Sequence, residues 1–539
     1  MKQYKFKTIL TAVVLSFAVL FTPSCTGDFD NLNLHPTNPT EDDLTESERL
    51  GSLFSSLIAT MHYAQENRNQ MVDQMIGNQY GGYMVTTNNW QGTNFGTFNP
   101  ATDWVDYPFK TIMVDFNSNF IKVKNVTESK GYIYGWASIL RVATMLRVTD
   151  IYGPIPYSKI GLVDSDAIEY DNVQDLYHNM IADLDNSIAV LKSYLAESPS
   201  ESPLAEYDIV YKGDFSRWLK LANSLKLRLA VRIALVDTEY AKQAITEAIA
   251  GGPIEANADN AFIPTQDNPY YKASHSWGGD LAINATLSSF MNGYSDPRAP
   301  VYMTLCSYGS TYRGGVRMGI ENINKSRYSN STYFSKPAFT ADSPLLVYCA
   351  AETAFLKAEA VLRGWIAGSD AQAKNFYEEG ISLSMEQHGV TIGSYLTGTT
   401  SPQAYSDPYS SGNNVSVSSP ITVSWTDAGT ASNTKLEKII TQKWLANYPL
   451  GLESWSDHRR TGFPQFFPAV NNLGSSGFIG TVTNTSSRMV RRLPFPQSQY
   501  QGNNENVQKA IQMLGGMMLL IQIFGGQKNR KLTLKYKIL

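Results

Sequence analysis

The chain has 539 residues, a net charge of −4 and 17% charged residues, so it lacks the basic footprint of a nucleic-acid-binding protein. Aromatic residues make up 12% of the chain, with 31 tyrosines. A surface rich in rings and uncharged polar groups suits ligands such as sugars, although a well-packed core with ordinary polar loops explains the same composition.

The amino terminus has the layout of a secretory signal. Three lysines precede an apolar run over residues 9–21, which is too short to span a bilayer. A small residue then precedes Cys25, as in a bacterial lipobox, although Thr22 stands where leucine is usual. We therefore expect residues 1–24 to be a lipoprotein signal peptide, Cys25 to carry the lipid, and residues 25–45 to form a flexible tether. The alternative is simple secretion, with cleavage near Ser24 and a free Cys25.

Apolar residues at three- and four-residue spacing predict amphipathic helices along much of the chain. These helices cover residues 47–64, 132–151, 173–191, 215–236 and 436–447. The fourth of them also carries basic residues on its other faces, at Arg217, Lys220, Lys226, Arg228 and Arg232. In an acidic, exported protein this pattern indicates a solvated, ion-paired face rather than a nucleic-acid surface.

Residues 78–107 lack helical periodicity and are predicted to form a long loop. Aromatic residues are frequent in this stretch, at Tyr80, Tyr83, Trp90, Phe95, Phe98 and Trp104. Rings outside a core tend to mark binding surfaces, but such a loop can also be pinned to the body by its rings. Residues 251–342, which include Trp277, and residues 391–433 are predicted as two further loop-rich insertions.

Residues 343–389 are predicted to form two helices joined by a short turn. Ser343 can cap the first helix, and Ser369 with Gln372 resembles a capping box at the start of the second. The small–aromatic–small spacing of the second helix of a tetratricopeptide repeat occurs at Ala373, Tyr377 and Gly380. Such a pair cannot bury both of its apolar stripes alone, so other helices must pack against it.

Two groups of charged residues could suggest catalysis. Asp457, His458 and Arg459 stand together in a turn-prone run, and Glu352 and Glu359 lie seven residues apart on one helix face. Internal ion pairs in a packed corner explain the first group, and pairing with basic residues of adjacent helices explains the second. The cysteines show neither a disulfide framework nor metal-ligand spacing. We therefore predict no catalytic residues, no metal and no cofactor.

A family resemblance is carried by segments at residues 150–157, 218–228, 352–360, 442–444 and 455–464. They read DIYGPIPY, WLKLANSLKLR, ETAFLKAEA, QKW and WSDHRRTGFP. Their order behind a lipobox-like cysteine resembles the SusD/RagB-like nutrient-binding outer-membrane lipoproteins of the Bacteroidetes type, in particular the SusD-like starch-binding branch. The resemblance implies a mainly α fold, in which a tetratricopeptide-like helix-pair scaffold carries loop-rich capping insertions. It covers a single domain over residues 46–516.

The resemblance also implies a function at the cell surface. Such a lipid-anchored protein captures an oligosaccharide, or in some members a peptide, and acts as a lid on a partner SusC-like TonB-dependent transporter in the outer membrane. No covalent chemistry is expected. The candidate ligand residues come from loop position and composition, and they are Trp90, Trp104, Trp277 and Tyr83, with Asn89 as a polar partner. The alternatives are a peptide receptor of the same architecture, a glycoside hydrolase and a purely structural surface lipoprotein.

The carboxyl end departs from the family pattern, which usually ends in polar residues and a tryptophan pair. If Gly516 uses a codon ending in G, the earlier reading frame can encode Asp-Asp-Ala-Ala-Asn-Thr-Asn-Leu-Trp-Trp-Ala-Lys. We therefore expect residues 517–539 to be a frameshifted or atypical tail. The rival interpretation is a genuine apolar segment, which is too short to span a membrane.

Overall fold

A computed structural model describes residues 45–162, 167–309, 312–417, 419–429, 431–474 and 490–514. The predicted signal peptide, Cys25, the tether up to residue 44 and the 517–539 tail lie outside these residues. The chain divides into two compact units, Met1–Ser52 and Leu53–Leu539. Among the described residues, the first unit holds only the start of the first helix, and all other elements belong to the second.

Most secondary structure in the described ranges is helical, as predicted. The helices are α1 (Glu46–Met61), α2 (Glu66–Asn69), α3 (Thr102–Val126), α4 (Gly131–Tyr152), α5 (Val173–Glu197), α6 (Phe215–Ile233), α7 (Thr238–Ala250), α8 (Ala285–Gly293), α9 (Ala350–Leu362), α10 (Asp370–Gln387), α11 (Ser432–Ala446), α12 (Gly451–Thr461), α13 (Gln497–Gly502) and α14 (Asn504–Met513). Two π-helical segments, Gln70–Asn78 and Lys272–Ser276, and three short helical turns, Pro269–Tyr271, Ala299–Tyr302 and Lys325–Tyr328, accompany them. The strands are β1 (Met84–Thr86), β2 (Ala261–Ile263), β3 (Leu281–Ile283) and β4 (Leu345–Tyr348).

The five helices predicted from periodicity are confirmed as α1, α4, α5, α6 and α11, with ends shifted by a few residues. Side-chain caps fix where two of these helices begin. Asn172 Oδ1 accepts a hydrogen bond from the Asp175 N–H at 3.0 Å, and Asp214 Oδ1 accepts one from the Ser216 N–H at 3.0 Å. These bonds satisfy backbone donors that have no partner inside the helix.

Helices that follow one another along the chain pack together, as in a helical-repeat scaffold. The contacts join α3 to α4, α4 to α5, α5 to α6, α6 to α7 and α9 to α10. Gly380 of α10 lies so close to Phe355 of α9 that a Cβ atom at position 380 would stand 2.8 Å from the ring. The predicted small–aromatic–small spacing therefore marks the close approach of two helices. The second-helix cap is also confirmed, because Ser369 Oγ accepts from the Gln372 N–H at 3.3 Å.

Three local predictions are wrong. Ser343 does not cap a helix, because the following residues form β4, which pairs with β2, and α9 begins only at Ala350. The loop predicted over 78–107 is too long, because α3 begins at Thr102. The run around His458 is not a turn but lies inside helix α12. In the first and third cases, partners distant in sequence outweigh the local pattern.

Candidate ligand-binding site

The two-stranded β1–β3 sheet brings two of the predicted insertions together. Its strands are antiparallel, with Thr86 opposite Leu281. Beyond that pair, the Thr87 N–H donates to the Asp280 carbonyl at 2.9 Å, and the Thr87 hydroxyl donates to the Gly279 carbonyl. The loop that follows β1 and the segment that precedes β3 therefore lie next to each other.

A polar bridge connects these two segments to a third. Asn88 Nδ2 donates to Asp280 Oδ1 at 3.2 Å, and Lys325 Nζ lies 2.5 Å from the same carboxylate oxygen. Lys325 Nζ also donates to the Trp277 carbonyl at 2.6 Å. The helical turn that starts at Lys325 thus ties the backbone of Trp277 to the loop after β1.

The loop after β1 holds Trp90 in an unusual backbone conformation. Trp90, Gln91 and Gly92 have φ values of 39°, 59° and 89°. Left-handed conformations in non-glycine residues cost on the order of 1–3 kcal/mol and persist where the surroundings fix them, often at ligand sites. Here Asn88 Oδ1 accepts from the Trp90 N–H at 3.2 Å, and Asn99 Nδ2 donates to the Gly92 carbonyl at 2.6 Å. Asparagine side chains therefore fix the position of this tryptophan.

Trp90 and Trp104 form a pair at the edge of the core. Their ring centroids lie 5.4 Å apart with an interplanar angle of 88°, which is an edge-to-face contact. Phe95 lies nearly parallel to Trp104 at 6.3 Å, and Tyr80 connects Phe95 to the buried interior. Both tryptophans are partly buried, so their rings are supported from below while part of each remains accessible.

Residues 31–521 of the chain match the SusD-like family model, which is described as "Susd and RagB outer membrane lipoprotein". The protein belongs to the SusD-like family. Among solved structures, a SusD-like protein from Bacteroides thetaiotaomicron VPI-5482 is 36% identical with a TM-score of 0.83, over 89% of this chain and 99% of that one. A SusD homologue from Bacteroides uniformis ATCC 8492 is 37% identical with a TM-score of 0.82, over 89% and 99%. A chitin-binding SusD homologue from Flavobacterium johnsoniae is 33% identical with a TM-score of 0.81, again over 89% and 99%. No curated protein matches the chain.

Membership confirms the resemblance to the SusD/RagB-like lipoprotein family, and the solved relatives confirm the tetratricopeptide-like helical fold. The SusD-like family is one of outer-membrane lipoproteins, and its members are binding proteins. No helix in the described ranges is long and apolar enough to cross a bilayer. Nor do those ranges contain a group of three or more His, Cys, Asp or Glu side chains suited to holding a metal ion.

The predicted site residues of this SusD-like protein fall into two groups. Trp90 and Trp104 are in contact with each other. The backbone carbonyl of Trp277 accepts a hydrogen bond from Lys325, which connects Trp277 to the same region. Asn89 precedes Trp90 and is partly buried. Tyr83 is different, because its side chain is fully buried, stacks on Trp444 at 5.6 Å and donates its hydroxyl to the Trp444 carbonyl. Tyr83 is therefore a core residue, and it is withdrawn as a ligand candidate.

Two residues of the candidate site were not predicted. Asp280 and Lys325 form the ion pair that bridges the loops, with exposed side-chain fractions of 12% and 35%. Asp280 carries a weak sequence signal, since it follows a glycine pair directly before a short apolar strand. Lys325 has no local signal, because its role depends on a contact with residues more than forty positions away.

The groups that could have suggested catalysis are buried, and the carboxylates among them are ion-paired. Asp457 Oδ2 lies 2.9 Å from Lys443 Nζ. His458 Nδ1 lies 2.8 Å from the Pro464 carbonyl oxygen, and burial lowers the pKa of its imidazole to about 4. Glu359 contacts the Arg460 guanidinium through both carboxylate oxygens, each at 2.6 Å. The predicted internal ion pair is confirmed for Asp457, and the predicted pairing with a basic residue of another helix is confirmed for Glu359.

Proposed function

We propose that this protein is a cell-surface, lipid-anchored binding protein that captures oligosaccharides and delivers them to a SusC-like TonB-dependent transporter. Cys25 carries the lipid anchor in this proposal, and residues 25–45 form the tether. The Trp90–Trp104 pair stacks on sugar rings, and Trp277 flanks it. Asn89 and the Asp280–Lys325 pair supply hydrogen bonds to sugar hydroxyls.

The observation that carries the proposal is the edge-to-face tryptophan pair held in place by a strained, asparagine-fixed loop. A rigid aromatic platform loses little conformational entropy when it binds, so its contacts contribute efficiently to affinity. The chitin-binding relative from Flavobacterium johnsoniae makes chitin fragments a sensible first ligand to test. Starch, xylan and mannan fragments complete the panel.

The Trp90→Ala variant should bind its glycan roughly tenfold more weakly than the wild type, because truncating a central aromatic anchor typically costs more than 1 kcal/mol. Its melting temperature should stay close to the wild-type value, since the ring is only partly buried. A glycan and peptide array identifies the ligand, and isothermal titration calorimetry with that ligand measures the change in affinity.

Tyr240→Ala is the matched control, because Tyr240 is also a partly buried ring but lies on scaffold helix α7. It should bind the glycan like the wild type. Binding to peptides alone would favour the peptide-receptor alternative, and glycan turnover would favour a hydrolase. If Trp90→Ala retained full affinity, Trp90 would not belong to the site.

A further inference from the structure

A second group of surface rings lies outside the Trp90 region. Tyr308, Tyr312, Tyr333 and Tyr409 form what we call the tyrosine ridge. The ring centroids of Tyr308 lie 6.2 Å from Tyr312 and 5.6 Å from Tyr333, and Tyr333 lies 5.6 Å from Tyr409. Tyr308 is 71% exposed, and Tyr312 and Tyr409 are each 37% exposed. Contiguous exposed rings of this kind are a sign of a binding surface.

The ridge has a fixed base. Asp407 Oδ1 accepts from the Tyr409 N–H at 2.8 Å, and Asp407 Oδ2 accepts from the Tyr328 hydroxyl at 3.1 Å. Asn413 Nδ2 also donates to this second oxygen at 3.0 Å. Below the ridge, the buried Tyr328 and Phe334 rings both pack on Tyr409. The backbone that presents Tyr409 is therefore held by buried hydrogen bonds, which preorganises the surface.

One helical turn, Lys325–Tyr328, connects the ridge to the segments that are bridged to the loop of Trp90. The first residue of this turn binds the Trp277 carbonyl and the Asp280 carboxylate. Its last residue contacts Tyr409, with ring centroids 5.9 Å apart. Arg327, within the same turn, lies over the Tyr409 ring at 5.8 Å. A single short element thus contacts both the backbone of Trp277 and the tyrosine ridge.

We propose that the tyrosine ridge is a second subsite for the same glycan, so that the protein selects chains long enough to reach from Trp90 to the ridge. This inference rests on the proposed glycan-capture function. Tyrosine suits a sugar polymer, because its ring packs on the C–H face of a sugar while its hydroxyl exchanges hydrogen bonds. The Arg327 guanidinium and the Asn330 amide, which donates to the Tyr409 hydroxyl at 3.4 Å, supply further polar contacts at the edge.

Linked subsites predict a dependence of affinity on chain length. Once the first subsite is occupied, binding at the second becomes intramolecular, so its contribution appears only with chains that span both. A disaccharide should bind the wild type and a ridge variant equally. A polymer should bind the ridge variant roughly tenfold more weakly than the wild type.

The test uses the purified full chain with matched disaccharide and polymer probes of chitin, starch, xylan and mannan. Titration calorimetry measures binding of the disaccharides, and native electrophoresis in polymer-containing gels measures binding of the polymers. The variants are Tyr308→Ala with Tyr409→Ala, Tyr308→Ala alone and Trp90→Ala. Tyr308→Ala removes a mostly exposed ring and keeps the test valid if the double variant is destabilised. Trp90→Ala should weaken binding of both probe lengths.

Failure of the second subsite and failure of glycan capture give different results. If the ridge variants bind the polymer like the wild type while Trp90→Ala does not, the second subsite is wrong and glycan capture stands. If the wild type binds neither these probes nor any glycan on the array, glycan capture fails, and the ridge proposal fails with it. Light scattering supplies a further check, because a change of oligomeric state in the ridge variants would identify the ridge as an interface between copies of this chain and overturn the subsite.

Discussion

Replacing Glu352 with alanine should lower the free energy of unfolding by about 3–5 kcal/mol, because it leaves buried cations without their partner. Glu352 is fully buried on α9. Its two carboxylate oxygens accept hydrogen bonds from the Arg228 guanidinium at 2.8 and 2.7 Å, and Lys443 Nζ lies 3.5 Å away. Although burial opposes ionisation, Arg228 and Lys443 hold the pKa of Glu352 below its ordinary value.

This pair belongs to a network that joins several scaffold helices. Arg228 also lies 3.3 Å from Glu453 of α12, and Arg232 pairs with both Glu453 and Asp150 of α4. Each of these side chains has a low exposed fraction, at 7% or below. Because every member depends on the charges around it, removal of one carboxylate affects contacts among α4, α6, α9 and α12 together.

Urea denaturation of the wild type and of Glu352→Ala measures the difference in unfolding free energy. Glu239→Ala is the control, because Glu239 pairs with Lys242 at 3.1 Å but is 87% exposed. Exposed pairs contribute about 0–1 kcal/mol, so this variant should stay near the wild type. Equal stabilities for Glu352→Ala and Glu239→Ala would mean that the buried network does not hold the scaffold together.

The network shows where helical periodicity is informative and where it is not. The apolar stripe of α6 predicted a helix over residues 215–236, and the structure has a helix over Phe215–Ile233. The basic residues on its other faces were predicted to be solvated, and this is wrong for Lys226, Arg228 and Arg232, which are buried. They were expected to be ion-paired, which is confirmed. Local sequence reveals that a face is charged, but the helices that cover the face come from distant segments.

The sequence predicted the candidate site only in part, as it did for the basic residues of α6. An aromatic-rich stretch without helical periodicity made Trp90 a candidate, and the structure places this residue in a loop that follows a short strand. The same stretch contains Tyr83, which the fold places against Trp444, a residue more than three hundred positions away. Composition cannot separate a ring that faces solvent from one that packs beneath the loop. That distinction depends on long-range packing, as does the Asp280–Lys325 bridge.

Acidification from about pH 7 to about pH 5 should cost the fold about 2 kcal/mol through His458 alone. The imidazole is buried against the Phe466 ring, and the two ring centroids lie 4.5 Å apart. Its Nδ1 is hydrogen-bonded to the Pro464 carbonyl. Burial lowers its pKa from 6.5 to about 4, and the neighbouring Arg491 and Arg459 act in the same direction. Between these two pKa values the unfolded chain binds a proton that the folded chain does not, so stability falls as the pH falls.

Urea denaturation at both pH values measures this loss for the wild type and for His458→Gln. Glutamine cannot ionise, and its amide can still donate to the Pro464 carbonyl, so the variant should lose about 2 kcal/mol less than the wild type over the same interval. His388 and His62 also have lowered pKa values and leave a residual slope of the same sign in the variant. The carboxylates held below their ordinary pKa, such as Glu352 and Glu359, contribute only at lower pH, where the unfolded chain begins to bind protons at its own glutamates. Parallel curves for the two proteins would mean that His458 is protonated in the folded state at pH 5, and that the α12 corner admits solvent.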